Sequence, residues 1–122
     1  MGVEKFSDLQ VWQEAHQLVL QVYAVTRKFP DVEKFGLVSQ MRRAALSIPA
    51  NIAEGFKRRG LQDKIRFYNT AEGSLEELKY FFIVSKDLHY IDSNTDEFAH
   101  ANMVGRLLNG LIASTERRKH AS

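Results

Sequence analysis

The chain has 122 residues, 44% of them hydrophobic and 26% charged, which is the size and composition of one soluble globular domain. It carries 17 basic and 15 acidic residues for a net charge of +2, and its lack of cysteine excludes a disulfide scaffold, a zinc–thiolate site and a cysteine nucleophile. Its first residues lack the apolar segment of a signal peptide, and no apolar run approaches the ~20 residues that span a bilayer. We therefore expect a single domain over residues 1–122, cytoplasmic and without membrane contact.

The first predicted helix covers residues 8–29. Ser7 and Gln10 have the spacing of a capping box, in which the serine side chain caps the helix start. Apolar residues then recur at intervals of three and four, the period of an amphipathic helix. Pro30 ends the helix, and residues 31–36 are expected to form a turn.

The second predicted helix covers residues 37–58 and contains Pro49. A proline inside a helix has no N–H to donate, so the carbonyl four residues earlier, at Ala45, loses its partner and the helix kinks. Ser47 and Asn51 flank the proline and are candidates to satisfy that carbonyl. Two short helices with a break just before the proline are the alternative. The apolar period continues across Pro49, which favours one kinked helix.

The third and fourth predicted helices cover residues 61–88 and 94–117. Gly60 has the position of a C-terminal cap for the second helix. Four helices with short connections favour an all-α fold, an antiparallel up-down-up-down four-helix bundle whose second helix is kinked at Pro49.

The first and third helices carry apolar residues on more than one face. A bundle of this length cannot bury two faces of one helix by itself, so another surface is expected to cover the excess. The simplest cover is a second copy of the chain, and we predict a homo-oligomer. Scattered exposed apolar residues, which are common on monomers, are the alternative.

Charge is unevenly distributed along the chain. Between residues 42 and 66 seven basic residues face two acidic ones, a net +5, whereas residues 72–97 carry a net −5. Arginine and lysine side chains of this density suit the phosphates of RNA or DNA. The predicted nucleic-acid-binding residues are Arg42, Arg43, Lys57, Arg58, Arg59, Lys64 and Arg66.

Two other uses of these cations stay open at this point. The basic segment can pair with the acidic segment of another copy, and Arg42 or Arg43 can pair with Glu54 or with a neighbouring subunit. The aromatic residues nearby, Phe56, Phe67 and Tyr68, fit core positions better. We therefore expect recognition of backbone or shape and no reading of bases.

A stripe of polar residues also follows the second helix. Its members recur at helical spacing: Gln40, Ser47, Asn51, Glu54 and Arg58. The stripe either lines a pocket or channel, or forms a hydrogen-bonded network that supports the proline kink and an interface.

Metal and catalytic signatures are weak. Glu97 and His100 form one E-x-x-H pair, but a di-iron bundle needs a second pair and two further glutamates, which the sequence lacks. It also contains no phosphate-binding glycine loop, nucleophile elbow or paired catalytic carboxylates. We expect a non-enzymatic protein with no metal and no cofactor.

Particular motifs resemble one bacterial family. They are Phe6, Asp8-Leu9, Val11-Trp12 and Ala15, then Phe29-Pro30, Phe35-Gly36-Leu37, Gln40, the run from Arg42 to Ala45 and the run from Ser47 to Gly55, and finally Phe67, Ala71, Gly73-Ser74-Leu75 and Glu77-Leu78. Over roughly residues 6–113 the chain is similar to the four-helix-bundle proteins encoded within intervening sequences of 23S ribosomal RNA genes.

The resemblance implies an up-down bundle that assembles as a homopentamer around a central channel in the bacterial cytoplasm. A related branch, the accessory variability determinants of diversity-generating retroelements, forms pentameric rings that bind nucleic acid and a reverse transcriptase. The function expected is thus a homo-oligomeric scaffold with a basic surface for RNA or DNA. The alternative is a protein–protein interaction module whose basic residues serve subunit contacts.

Overall fold

Four α-helices make up most of residues 2–121, the part of the chain that the computed structural model describes. Their bounds are Gln10–Thr26 for α1, Leu37–Lys57 for α2, Leu61–Asp87 for α3 and Thr95–Ala121 for α4. Short 3₁₀ turns at Phe6–Asp8 and Asp31–Glu33 precede α1 and α2. The described residues contain no strand, so the all-α prediction is confirmed.

The helices pack as a four-helix bundle. Each helix contacts the helices next to it in the chain, and α4 closes back onto α1. Contacts between α2 and α3 join Arg43 to Glu77, Ser47 to Ser74 and Phe56 to Lys64. The numbers fall on one helix as they rise on the other, which is the pairing of antiparallel neighbours.

One apolar core lies between the four helices. Its side chains recur every three or four residues along each helix and include Leu18, Val22, Met41, Ile48, Ile52, Leu75, Leu78, Phe82, Val104 and Leu108, all fully buried. Burying a side chain of this size stabilises the fold by about 1.5–3 kcal/mol. The helical period of the sequence therefore marks the core correctly.

The start of α1 differs from the prediction. The helix begins at Gln10 with Leu9 in its N-cap position, so Ser7 is not the cap. Residues Phe6–Asp8 form a 3₁₀ turn instead, in which the Lys5 amide donates to the Asp8 carboxylate at 3.3 Å. This turn uses the residues that a cap at Ser7 would need, and so it delays the helix. The other end also comes earlier than predicted, at Thr26.

The second helix runs unbroken through Pro49, so two separate helices are excluded. The pyrrolidine ring is buried in the bundle. Asn51 Nδ2 donates to the carbonyl and hydroxyl oxygens of Ser47, at 2.8 and 2.9 Å. The prediction that Asn51 satisfies the Ala45 carbonyl is therefore wrong. The kink itself stays a prediction.

Two helix ends also differ from expectation. Gly60 has an extended backbone, with φ −79° and ψ 136°, and is the N-cap of α3 rather than a cap of α2. Arg58, two residues earlier, occupies the C-cap of α2 and also has an extended backbone. The last helix continues to Ala121, four residues beyond the predicted end at 117, because its final residues are charged or small and tolerate solvent.

Candidate nucleic-acid interface

The structure divides the seven predicted binding residues into two groups. Five of them lie where α2 ends and α3 begins: Lys57, Arg58, Arg59, Lys64 and Arg66. Arg42 and Arg43 lie in the first half of α2. From residue 43 to residue 57 the helix rises by about 21 Å, so the two groups form separate surfaces.

The Lys64 side chain is hydrogen-bonded to the C-terminal end of α2. Its ammonium donates to the carbonyl of Phe56 at 2.7 Å and to that of Gly55 at 3.4 Å. The last carbonyls of a helix have no partner within it, so this lysine replaces the missing donors. Burial and the nearby charge of Arg118 lower the pKa of Lys64. Lys64 therefore stabilises the α2–α3 turn, and its ammonium is already hydrogen-bonded within the chain.

Arg58 and Arg66 are held in place by a shared carboxylate and a shared ring. Asp63 accepts Arg66 at 2.7 Å and lies 3.7 Å from the Nε atom of Arg58. Both guanidinium groups lie over the Phe67 ring, about 4.6 and 4.5 Å from its centroid. Arg58 also pairs with Glu54 at 2.9 Å. Two cations are thereby presented in fixed positions at the surface.

The structure leaves the side chains of Lys57 and Arg59, at the α2–α3 turn, available to a ligand. Both are exposed, and within residues 2–121 neither makes an ion pair or a side-chain hydrogen bond. They flank Arg58 at the point where the chain leaves α2. Of the seven predicted residues these two are the most available to a phosphate.

Sequence reasoning missed the contribution of α4. Its last turns bring Arg117, Arg118 and Lys119 to the same end of the bundle, where Lys119 donates to Gln62 of α3. The charge of Arg118 also lowers the pKa of Tyr68, while burial raises it more. The sequence does contain the information needed. In an antiparallel bundle, the C-terminal end of the fourth helix lies beside the connection between the second and third helices.

We call the combined surface the basic end. It comprises Lys57, Arg58, Arg59, Lys64, Arg66, Arg117, Arg118 and Lys119. The carboxylates beside them in the sequence are Glu54, Asp63 and Glu116. Three helix termini therefore converge on one strongly positive surface.

Arg42 and Arg43 serve packing between helices. Arg42 donates to the Thr26 hydroxyl at 3.0 Å and its guanidinium lies 4.4 Å from the centroid of the Tyr23 ring, which joins α2 to α1. Arg43 pairs with Glu77 of α3 at 3.0 Å rather than with Glu54. Both remain predicted nucleic-acid contacts, but each already has a partner in its own chain.

The middle of the predicted polar stripe on α2 forms a hydrogen-bonded seam against α3. Its two ends pair along α2 itself, where Gln40 accepts from Arg43 and Glu54 pairs with Arg58. The hydroxyls of Ser47 and Ser74 lie 2.8 Å apart, and Asn51 donates to Ser47 from the next turn. The seam continues in the ion pair of Arg43 and Glu77. Polar groups that pair with one another in this way can be half-buried without a large cost.

The histidine of the E-x-x-H pair in α4 makes hydrogen bonds to α1. His100 bonds two residues of α1, with Nδ1 2.9 Å from Gln21 Oε1 and Nε2 3.2 Å from Glu14 Oε1. Across the described residues no group of three or more His, Asp or Glu side chains is placed to hold a metal ion. His100 is therefore a polar bridge between α1 and α4.

A comparison with known protein families finds one that matches most of the chain. The model of the 23S rRNA-intervening sequence proteins matches residues 7–110. The chain belongs to this family. The match includes α1, α2, α3 and more than half of α4, and it confirms the resemblance carried by the motifs. A search of curated proteins finds no match.

The family match covers the α2–α3 turn completely, whereas Arg117, Arg118 and Lys119 lie beyond it. The part of the basic end supplied by α4 thus lies outside the matched segment. Of the helices formed by residues 2–121, none is both long enough and apolar enough to cross a bilayer.

Proposed function

We propose that this member of the family is a non-enzymatic cytoplasmic scaffold that binds RNA or DNA through phosphates at the basic end. It acts as a homo-oligomer, a pentamer as the family resemblance implies. The observation that supports binding is the convergence of eight lysines and arginines from α2, α3 and α4 beside three carboxylates. Such a surface attracts a polyanion and releases its counterions.

The aromatic rings at the basic end favour contacts with phosphates over contacts with bases. Lys64 lies over the ring of Phe56 at 5.4 Å, and the Phe67 ring carries Arg58 and Arg66. A ring face that a cation covers is not open for a base to stack on. The proposed mode of recognition is therefore sequence-independent and depends on the backbone of the nucleic acid.

The test is a titration of labelled structured RNA, single-stranded DNA and duplex DNA with the purified protein, at about 50 and about 200 mM salt. Binding that weakens steeply with salt supports phosphate contacts. The double variant Lys57→Glu with Arg59→Glu is expected to lower the affinity at least about tenfold and the salt slope by about two. Both side chains are exposed and unpaired, so the fold is expected to survive.

A matched control changes the same amount of charge elsewhere. Lys28→Glu with Lys86→Glu alters two exposed lysines at the opposite end of the bundle. This control is expected to keep most of the affinity. Equal losses in both double variants would show that net charge, and not the basic end, governs binding. No binding at either salt concentration would refute the proposal.

The second candidate function is an interaction module whose basic residues serve subunit contacts. Its support is that Arg43, Arg58 and Arg66 already pair with carboxylates of their own chain, which leaves these three cations less available to phosphates. The mass of the assembly separates the two functions. If the basic end binds nucleic acid, Lys57→Glu with Arg59→Glu leaves the mass unchanged. If it serves assembly, the same change dissociates the oligomer.

A further inference from the structure

One side of the protomer carries an open groove between α1 and α2. Its volume is about 510 Å³, and its apolar lining includes Tyr23, Phe35, Val38 and Leu46. Phe35 is 89% exposed and Leu46 is 46% exposed, and both line this one groove, so that together they form an exposed apolar patch. Lys34 and Arg42 line the same groove and make no ion pair within the described residues, whereas Arg43 at its edge pairs with Glu77. The groove is therefore apolar at its floor and positive at its rim.

The helix beside this groove is almost free of charge. Of the 17 residues of α1, Glu14 alone is an acidic or basic residue apart from histidine, and it bonds His100 on the α4 side. The exposed residues of the helix include Gln13, Gln17, Leu20 and Ala24. Depletion of charge is typical of the centre of a protein interface and not of a helix that faces water.

A second exposed apolar surface lies on α3. Glu76, Tyr80, Ile83 and Asp87 recur at intervals of four, three and four, so they share one face of the helix. Tyr80 is 60% exposed and Ile83 is 46% exposed. Glu76 also pairs with Lys79. We call this face the ridge; it has two apolar residues at its centre and one carboxylate at each end.

The groove and the ridge are complementary but cannot meet within one chain. The inner face of α3 is buried in the core, at Leu75, Leu78 and Phe82, and the ridge points away from it. The groove lies on α1 and α2. A positive apolar groove and a negative apolar ridge on different faces of the same molecule allow contact only between copies.

We propose that the ridge of one copy docks into the α1–α2 groove of the next. This inference rests on the homo-oligomer of the proposed function and names the two faces that meet. The contact is heterologous, because each copy uses its ridge to bind one neighbour and its groove to bind the other. Repetition of the contact joins the copies head to tail and closes a ring where the rotation permits.

A heterologous contact gives a test that a symmetric one does not. Leu46→Asp places a carboxylate in the groove, and Tyr80→Asp places one on the ridge. Each variant alone is expected to fall from the oligomer to the monomer in sedimentation velocity. In an equimolar mixture, the intact ridge of Leu46→Asp fits the intact groove of Tyr80→Asp. The mixture is therefore expected to form a dimer and nothing larger.

Val3→Asp is the matched control. Val3 is 48% exposed and lies before the first turn, outside both surfaces, so this variant is expected to keep the wild-type mass. Circular dichroism verifies that each variant folds. Should an aspartate unfold the chain, Phe35→Ser and Ile83→Ser test the same two faces with a smaller change.

Three results would overturn the inference. Wild-type mass in both variants would place the interface elsewhere, and the proposed homo-oligomer would stand without it. A mixture that stays monomeric would exclude the heterologous contact. A monomeric wild-type protein would refute both the inference and the homo-oligomer, whereas nucleic-acid binding by the basic end is measured separately.

Discussion

At the residue scale, Gly55 lets α2 and α3 approach closely. A Cβ atom built at this position would lie 2.7 Å from Cε1 of Tyr68 and 3.0 Å from Cβ of Phe67. The Tyr68 ring is buried and cannot move aside. Lys64, which caps the carbonyl of Gly55, depends on the same approach. The smallest side chain is therefore required where the basic end begins.

Gly55→Ala is expected to lower the free energy of unfolding by about 1–2 kcal/mol, because overpacking a tight contact exceeds the helix propensity gained. Gly110→Ala is the control, since a Cβ there meets nothing within 4 Å in the middle of α4. The control should gain about 0.5–1 kcal/mol. Urea unfolding measures both, and a stabilised Gly55→Ala would contradict the close approach.

Glu33 links stability to pH. Its carboxylate accepts the Tyr90 hydroxyl at 2.7 Å and the Leu37 amide at 3.2 Å, and these bonds hold the pKa of Glu33 below its ordinary value of 4.5. A carboxyl with a lowered pKa in the folded protein stabilises it above pH 4.5 and loses that contribution as the pH falls. Glu33 raises the pKa of Tyr90, whose contribution is lost at the alkaline end.

Glu33→Gln is therefore expected to unfold at lower urea concentration than the wild type at neutral pH. Between about pH 6 and pH 3 its stability should fall less steeply, because the titrating carboxyl is gone. Glu4→Gln, at an exposed position before the first turn, serves as the control. Parallel curves for wild type and Glu33→Gln would show that the Tyr90 contact contributes nothing.

At the element scale, the best-predicted ends are those marked by sequence punctuation. Gly36 and Gly60 precede the starts of α2 and α3, and both starts agree with the predicted residues. The start of α1 was missed because a 3₁₀ turn competes for Ser7. The end of α4 was missed because apolar spacing fades after Thr115 while the backbone stays helical.

The candidate site was only partly predictable for a related reason. Charge density along the chain indicates the α2–α3 turn, and that is where five of the seven chosen cations lie. It does not tell which cations are occupied, since the partners Glu77 of Arg43 and Phe56 of Lys64 become neighbours only on folding. The three cations of α4 needed the antiparallel pairing as well as the composition.

The C-terminal end of α3 has a helix cap that the sequence does not indicate. His89 has φ of 64°, and within the described chain it is the one residue other than glycine with a positive φ. Its amide donates to the Lys86 carbonyl and the Tyr90 amide to the Ser85 carbonyl, each at 2.9 Å. These two bonds form a Schellman motif, in which glycine is the usual residue.

His89→Gly is expected to raise the free energy of unfolding by about 0.5–1 kcal/mol, because glycine adopts this conformation without steric cost. His89→Ala removes the same imidazole but keeps a Cβ atom, and it should bring no such gain. Thermal unfolding of the two variants separates backbone conformation from side-chain contacts. Equal stability in both would assign the effect to the imidazole.

At the scale of the whole molecule, the basic end and the proposed groove–ridge contact use separate surfaces, and the two proposals together have one consequence. Lys57 and Arg59 lie at the turn after α2, whereas Tyr80 lies in the second half of α3. An oligomer presents one basic end for each copy. If the basic end binds phosphates as proposed, a polyanion long enough to reach several of them is expected to bind the assembly more tightly than one protomer, without any new contact.

Tyr80→Asp is therefore expected to weaken nucleic-acid binding although it leaves the basic end intact. The monomer neutralises fewer phosphates, so both the affinity and the salt slope fall, the affinity at least about tenfold. A duplex too short to bridge two protomers should bind wild type and variant equally, which separates avidity from damage to the site. Val3→Asp should behave as wild type. If Tyr80→Asp dissociates and still binds long duplexes with the wild-type slope, each basic end acts alone and assembly has a different purpose.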